Sequence, residues 1–252
     1  FLSRCHMHKN TGSRAFQLAM IFIKEQLKEP TALFWILLSP GAVFYLLIYS
    51  KGDDNFNQDY SAVTAWFYAY ISSSVAFFGF SFYIIGRRES GFIRSFIYTP
   101  HARAVFLIAQ LIAYSTIACL YCLFFYMMTR LPFGGYSTYE ASILMIRFYS
   151  CFILFCSPGL LITALPLNFQ TANAVFSILS FIMLALGVAQ AALPEPTYFP
   201  IELFNPLSLG KSIMQQGIQP LWKIIISIFA TFIIALLLAC KYLRINPVWS
   251  RY

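Results

Sequence analysis

The chain's apolar residues come in continuous stretches near twenty residues long, with almost no charge inside them, and this constrains the fold more than any other feature. A soluble domain carries about 25% charged residues. Here 10% of 252 residues are charged and 60% are hydrophobic. That is too little charge to keep a folded surface wet, which excludes disorder, a collagen-like repeat and an ordinary soluble enzyme. One transmembrane helix takes roughly 20 apolar residues, so the apolar content suffices for about six or seven crossings. The stretches do not alternate with a period of two, as the strands of an outer-membrane barrel would. The expected class is an all-α polytopic membrane protein built as one integral domain.

Residues 1–13 read as a polar cytoplasmic tail, and residues 14–252 as a single transmembrane domain. Between Arg14 and Glu29, Phe16, Ala19, Met20, Ile23 and Leu27 recur at three- and four-residue spacing among Lys24, Glu25, Gln26, Lys28 and Glu29. This pattern predicts an amphipathic helix lying in the membrane interface and ended by Pro30. Six transmembrane helices are expected over about 31–50, 61–85, 104–129, 141–165, 172–193 and 220–240, the first kinked at Pro40-Gly41. An even number of crossings puts both termini on one side. Twelve basic residues fall on that side: in the N-terminal segment, in the 86–103 connection and in the C-terminal tail. Five fall on the other side, even counting Arg147 and Lys223, which lie near span ends and could snorkel outward. The positive-inside rule makes the basic side cytoplasmic, and the location expected is the plasma (inner) membrane.

Two connections carry pattern of their own. In 86–103, Phe92, Ile93, Phe96 and Ile97 sit at helical spacing with Arg88 and Arg94 among them, which predicts a short amphipathic helix ending before Pro100. Residues 194–217 are broken by Pro194, Pro196, Pro200 and Pro206 yet remain apolar, as re-entrant or interfacial helices between spans five and six would be.

Little in the chain suggests covalent chemistry. Asn205–Ser212 (NPLSLGKS) ends like a phosphate-binding loop, but Asn205 replaces the first glycine and Pro206 removes a backbone donor, so no nucleotide site is read there. Cys119, Cys122, Cys151 and Cys156 lie in apolar stretches without His or carboxylate nearby, and read as small packing residues. Cys5, His6 and His8 form a ligand-like cluster, but it sits in the tail. No metal site is expected. No Asp or Glu lies deep in a span, which argues against a cation-coupled antiporter, an intramembrane protease and a lipid-modifying enzyme.

The order of these pieces resembles the permease subunit of the type-2 ABC exporter family. Lys24–Pro30 (KEQLKEP) before an apolar span is similar to that family's interfacial helix running into its first span. Arg87-Arg88-Glu89-Ser90-Gly91, then Ile93-Arg94 and Thr99-Pro100, resembles its E-R-E-x-G … T-P loop, and Phe204-Asn205-Pro206-Leu207 resembles its outer N-P-L element. Two departures stand beside these. The 166–171 connection is short and uncharged, and Gly210-Lys211-Ser212 lacks the family's usual acid.

The resemblance implies a permease that dimerises, with itself or a close paralogue, and docks two copies of a cytoplasmic ABC ATPase. ATP and Mg would be bound by that ATPase, and no cofactor or nucleic acid by this chain. It implies that Arg87, Arg88, Glu89, Gly91, Phe92, Arg94, Phe96, Ile97 and Pro100 form the ATPase-coupling loop, with an apolar face in a partner cleft and arginines at its rim. It also implies a substrate path along spans one, two and five, for which Phe34, Trp35, Tyr45, Trp66, Phe67, Tyr70, Asn173 and Phe176 are the candidates. Phe204, Asn205 and Pro206 would belong to the outer re-entrant segment that caps it. The substrate could be a lipid-linked glycan, a drug-like amphiphile, a lipid or a peptide. A non-transporting membrane anchor or assembly subunit is the alternative.

Overall fold

The computed structural model describes residues 11–28, 30–51, 59–97, 99–192, 205–218 and 220–243. The tail at 1–10, the acidic residues Asp53 and Asp54, the segment 193–204 with Phe204, and Arg244 and Arg251 lie outside the described residues. Among those described there is no strand. In chain order the helices are α1 (Thr11–Leu27), α2 (Pro30–Lys51), α3 (Tyr60–Ser74), a π-helical stretch (Val75–Ser81) and α4 (Phe82–Glu89). After them come α5 (Phe92–Phe96), α6 (Pro100–Thr129), a 3-10 turn (Leu131–Phe133), α7 (Thr138–Thr163), α8 (Phe169–Ala192), α9 (Pro206–Gln216) and α10 (Trp222–Tyr242).

Among the described residues five helical runs are long and apolar enough to cross a membrane: α3 through α4, α6, α7, α8 and α10. The chain is a multi-pass membrane protein. Within α2, Phe34–Ser50 is a shorter apolar helix.

The α3–π–α4 rod forms the centre, and α2, α6, α7, α8 and α9 all pack on it. Several of its buried hydroxyls are satisfied at home: Thr64 donates to the Tyr60 carbonyl at 2.7 Å, Ser72 to Ala69 at 2.9 Å and Ser73 to Tyr70 at 2.8 Å. That is how a polar run such as Ser72–Ser74 sits inside a buried span. Aromatic rings fill the spaces around the rod. Phe44, Phe67 and Tyr68 gather on Phe125, Phe77 stacks on Phe176 with centroids 5.7 Å apart, and Phe80 meets Tyr114 and Phe152 edge-on.

Helix α1 packs on α6 through Ala15, Ala19, Phe22 and Gln26, a buried row at three- and four-residue steps. Phe16, Met20, Ile21 and Leu27 stay exposed. The helix therefore divides the residues of the sequence pattern: Ala19 and Ile23 turn toward the protein, while Phe16, Met20 and Leu27 are left free to meet lipid.

Helix starts follow local chemistry. Thr99 accepts from the Ala102 amide with Pro100 in the first turn of α6, Ser137 caps α7, and Asn168 accepts from the Thr171 amide at the start of α8. The helices alternate so that the end of α1, the α4–α5 turn, the start of α6, the α7–α8 connection and the end of α10 meet. Glu25 bonds Arg87, Arg88 bonds Leu165, and Arg103 bonds the Lys241 carbonyl at 3.4 Å. We call this the basic end.

At the opposite end Arg130 donates to Glu140 at 2.8 Å and lies over Tyr60, while Tyr126 also donates to Glu140. Burial pulls the Arg130 pKa down, but the hydrogen bond and charge of Glu140 outweigh it and leave it raised. Arg147 was expected to snorkel outward. It turns inward instead, donating to the Met214 carbonyl at 2.8 Å and so capping the last turn of α9. The caps leave no strain at Gly217, whose φ of +87° is one that glycine adopts freely.

Candidate functional site

At the basic end two neighbouring arginines have opposite fates. Arg88 is fully buried. Its guanidinium donates to the carbonyls of Thr163 (3.1 Å), Leu165 (3.0 Å) and Leu167, and through Nε to Glu89 at 3.0 Å. The last carbonyls of a helix have no partner within it, and a planar guanidinium presents five donors in a fixed fork. Arg88 thus fastens the turn after α4 to the end of α7 and to the chain that leads into α8. The expectation that Arg88 meets a partner's acids at the rim of a cleft is corrected: its donors are spent inside this chain.

Arg87 is half-buried one helical step away. It pairs with Glu25 of α1, donates to the Tyr83 hydroxyl, and stacks on three rings, with its Cζ 5.2 Å from the Phe22 centroid, 4.8 Å from Tyr83 and 4.3 Å from Phe92. This arginine ties the interfacial helix to the loop. Sequence reasoning missed Glu25 as its partner. Glu25 was read as one polar residue among several, and nothing in spacing alone joins residues 62 apart.

The loop residues have local reasons for their types. Gly91 has φ +77° and ψ 0°, the left-handed conformation that ends α4 and starts α5. Thr99 and Pro100 open α6 as cap and first residue. Helix α5 is five residues long and is seated by Ile93 and Ile97, both buried in this chain's own core. Ile97 is therefore not part of an apolar face held out to a partner, because so short a helix spends its aliphatic residues on its own seat. Phe92 is half-buried against Arg87, and Arg94 and Ser95 are exposed. Phe96 is placed in α5, while the side chain itself lies outside what the structure describes.

The path candidates divide. Phe34, Trp35 and Asn173 are exposed on the flanks formed by α2 and α8, and Trp66 and Tyr70 are half-buried. Tyr45 is half-buried with its hydroxyl donated to the Met128 carbonyl. Phe67 and Phe176 are corrected: both are core residues, Phe67 against Phe44 and Phe125, and Phe176 against Phe77 and Phe78, so neither lines an open route in this chain. An all-apolar span gives no sequence signal for which side turns inward.

Near the opposite end, Asn205 is fully buried. Its side-chain oxygen accepts from the Leu207 amide at 3.1 Å, and its amide group donates to the Met183 carbonyl and to Ser208, each at 3.0 Å. Pro206 then occupies the first position of α9. The Asn-Pro-Leu run is thus a helix cap that also clamps α9 to the middle of α8. Among the described residues no three His, Cys, Asp or Glu side chains gather as metal ligands would, and Cys119, Cys122, Cys151, Cys156 and Cys240 are free thiols.

No protein-family model matches the chain. Over 238 residues it is 30% identical to protein McbE of Escherichia coli, an alignment that takes in 93% of this chain and 98% of that protein. An identity of this size, held across nearly the whole of both chains, means that this multi-pass membrane protein belongs to the McbE family.

Proposed function

We propose that this chain is the permease subunit of an ATP-driven exporter, working as a dimer in the plasma (inner) membrane and driven by separate cytoplasmic ATPase subunits. In this reading α2 is the first of six crossings, the basic end and both termini are cytoplasmic, and no covalent chemistry occurs on this chain.

The observation that carries the reading is the construction of the loop at the basic end. Helix α5 presents Arg94 and Ser95 outward, while Ile93 and Ile97 root it in the core and Arg88 joins its base to the α7–α8 connection. A push on α5 would reach α4, α7 and α8 together, because Arg88 at the base of the loop is bonded to the end of α7 and to the chain leading into α8. A passive anchor has no need of such a joint. The exposed apolar faces of α2 (Phe34, Trp35, Leu46) and α8 (Ile178, Phe181, Val188) flank the rod, as surfaces covered by a second copy and by lipid would.

The test is purification from native membranes in mild detergent, with mass spectrometry of the associated proteins. The expected result is an ABC ATPase subunit in roughly equal amount, lost from Arg94→Glu protein that still reaches the membrane. If the chain purifies without a nucleotide-binding partner, the transport reading fails and the anchor or assembly reading replaces it.

A further inference from the structure

A half-open cavity of about 490 Å³ lies at the basic end, lined by the last turn of α1, the π stretch, α4, the α4–α5 turn, the start of α5, α6 and the first residue of α8. Six aromatic rings line it: Phe78, Phe82, Tyr83, Phe92, Tyr114 and Phe169. Two charged side chains face it, Glu25 and Arg87, already paired with each other. Tyr114 is held by a 2.8 Å hydrogen bond to Gln26, itself part of the lining.

This lining selects its ligand by charge. One carboxylate and one guanidinium give the cavity no net charge, so a nucleotide or a dication would enter poorly balanced. A zwitterion suits it. A phosphate can take donors of Arg87 beyond the Nη2 group that serves Glu25 and Tyr83. A primary ammonium can bond the Glu25 carboxylate and lie against the ring faces.

The location selects further. The cavity opens where basic residues gather, at headgroup level for a membrane protein. Exposed Phe169, Ile21 and Leu27 on the neighbouring helices offer acyl chains apolar side chains beside the cavity. We propose that this cavity binds the phosphoethanolamine headgroup of a bilayer phospholipid, with the phosphate on Arg87, the ammonium on Glu25 and the acyl chains along α1 and the start of α8. The site belongs to this chain whether or not the chain transports anything, so it stands apart from the exporter reading.

The full chain, purified in detergent, would be titrated with phosphatidylethanolamine or phosphatidylglycerol of matched acyl chains and examined by native mass spectrometry. The wild type should retain one phosphatidylethanolamine per chain, with about tenfold preference over phosphatidylglycerol. Soluble glycerophosphoethanolamine should fail to displace it. Equal retention of the two lipids overturns the proposal, and displacement by the soluble headgroup overturns the bilayer source. Two variants locate the site. Glu25→Gln removes the ammonium's partner and should abolish the preference. Gly86→Leu projects a side chain into the cavity from a position where a Cβ meets only Phe169, at 3.5 Å, and leaves the charged pair intact. Its retention of lipid at the wild-type level would place the lipid elsewhere and refute the assignment, and the wild-type selectivity decides the matter even if either variant misfolds.

Discussion

Arg88 is the residue whose loss should be felt most. In Arg88→Met the side-chain volume is largely kept, but four hydrogen bonds go at once: those to Thr163, Leu165, Leu167 and Glu89. Hydrogen bonds from a charged group each contribute about 1.5–3 kcal/mol, and they do not add. The better guide is the removal of one partner from a buried ion pair, which costs about 3–5 kcal/mol. For a chain of this length 1 kcal/mol moves Tm by about 2–4 °C, so Arg88→Met should unfold about 6–20 °C below the wild type. Arg88→Lys keeps the charge, but a point ammonium cannot reproduce the fork that reaches three carbonyls, and should lose about half as much. Thermal unfolding in detergent, followed by size-exclusion recovery, measures both. Arg88→Met unfolding within about 2 °C of the wild type would refute the claim that this arginine holds the loop to α7.

Asn205→Ala removes a helix cap and a buried donor together, so about 1–2 kcal/mol of local stability should go. Faster amide exchange confined to α9 would register it, and unchanged exchange there would count against the clamp. Gly187 and Gly41 should differ although both are tightly packed. A Cβ at Gly187 would stand 2.2 Å from the Trp66 ring, whereas at Gly41 it meets only the flexible end of Met128. Gly187→Ala should cost about 1–3 kcal/mol and be rescued by Trp66→Phe, while Gly41→Ala should be near neutral; equal costs would sink the argument. Ser81 has a buried hydroxyl with no hydrogen-bond partner in the structure. Ser81→Ala should therefore raise Tm, by about 2–4 °C for about 1 kcal/mol relieved, and a fall would mean that the hydroxyl is satisfied.

The all-helical, multi-pass character was legible because hydropathy is a sum over some twenty residues and tolerates local error. The helix that holds the stretch expected over 104–129 begins earlier, at Pro100 behind the Thr99 cap, where the sequence pattern shows only a T-P loop element. What the sequence hid was direction. Arg87 and Arg88 look equivalent in the chain, yet one stacks on rings near the surface and the other is consumed by main-chain carbonyls, which no side-chain motif can announce. Phe67 and Phe176 failed as path residues for the same reason. A span apolar all round carries no amphipathic signal, so only packing decides which ring faces the core.

The two ends of the molecule and the middle of its central rod are built on opposite principles. Arg88, Arg87 with Glu25, Arg130 with Glu140, and Asn205 fasten the ends with buried or half-buried charge-assisted and capping bonds. The rod's middle is a π-helical stretch over Val75–Ser81, and π turns interrupt the regular ladder of backbone bonds. There Gly79 lies against the Tyr114 ring and Gly159 against Ser81, while Ser81 and, on α6, Gln110 have buried polar atoms without hydrogen-bond partners among the described residues. Buried polar groups left unpaired destabilise the arrangement that buries them, which narrows the gap to any alternative that satisfies them. The rod is therefore tightly fastened at its ends and least satisfied in its middle, and it is the element on which α2, α6, α7, α8 and α9 all rest.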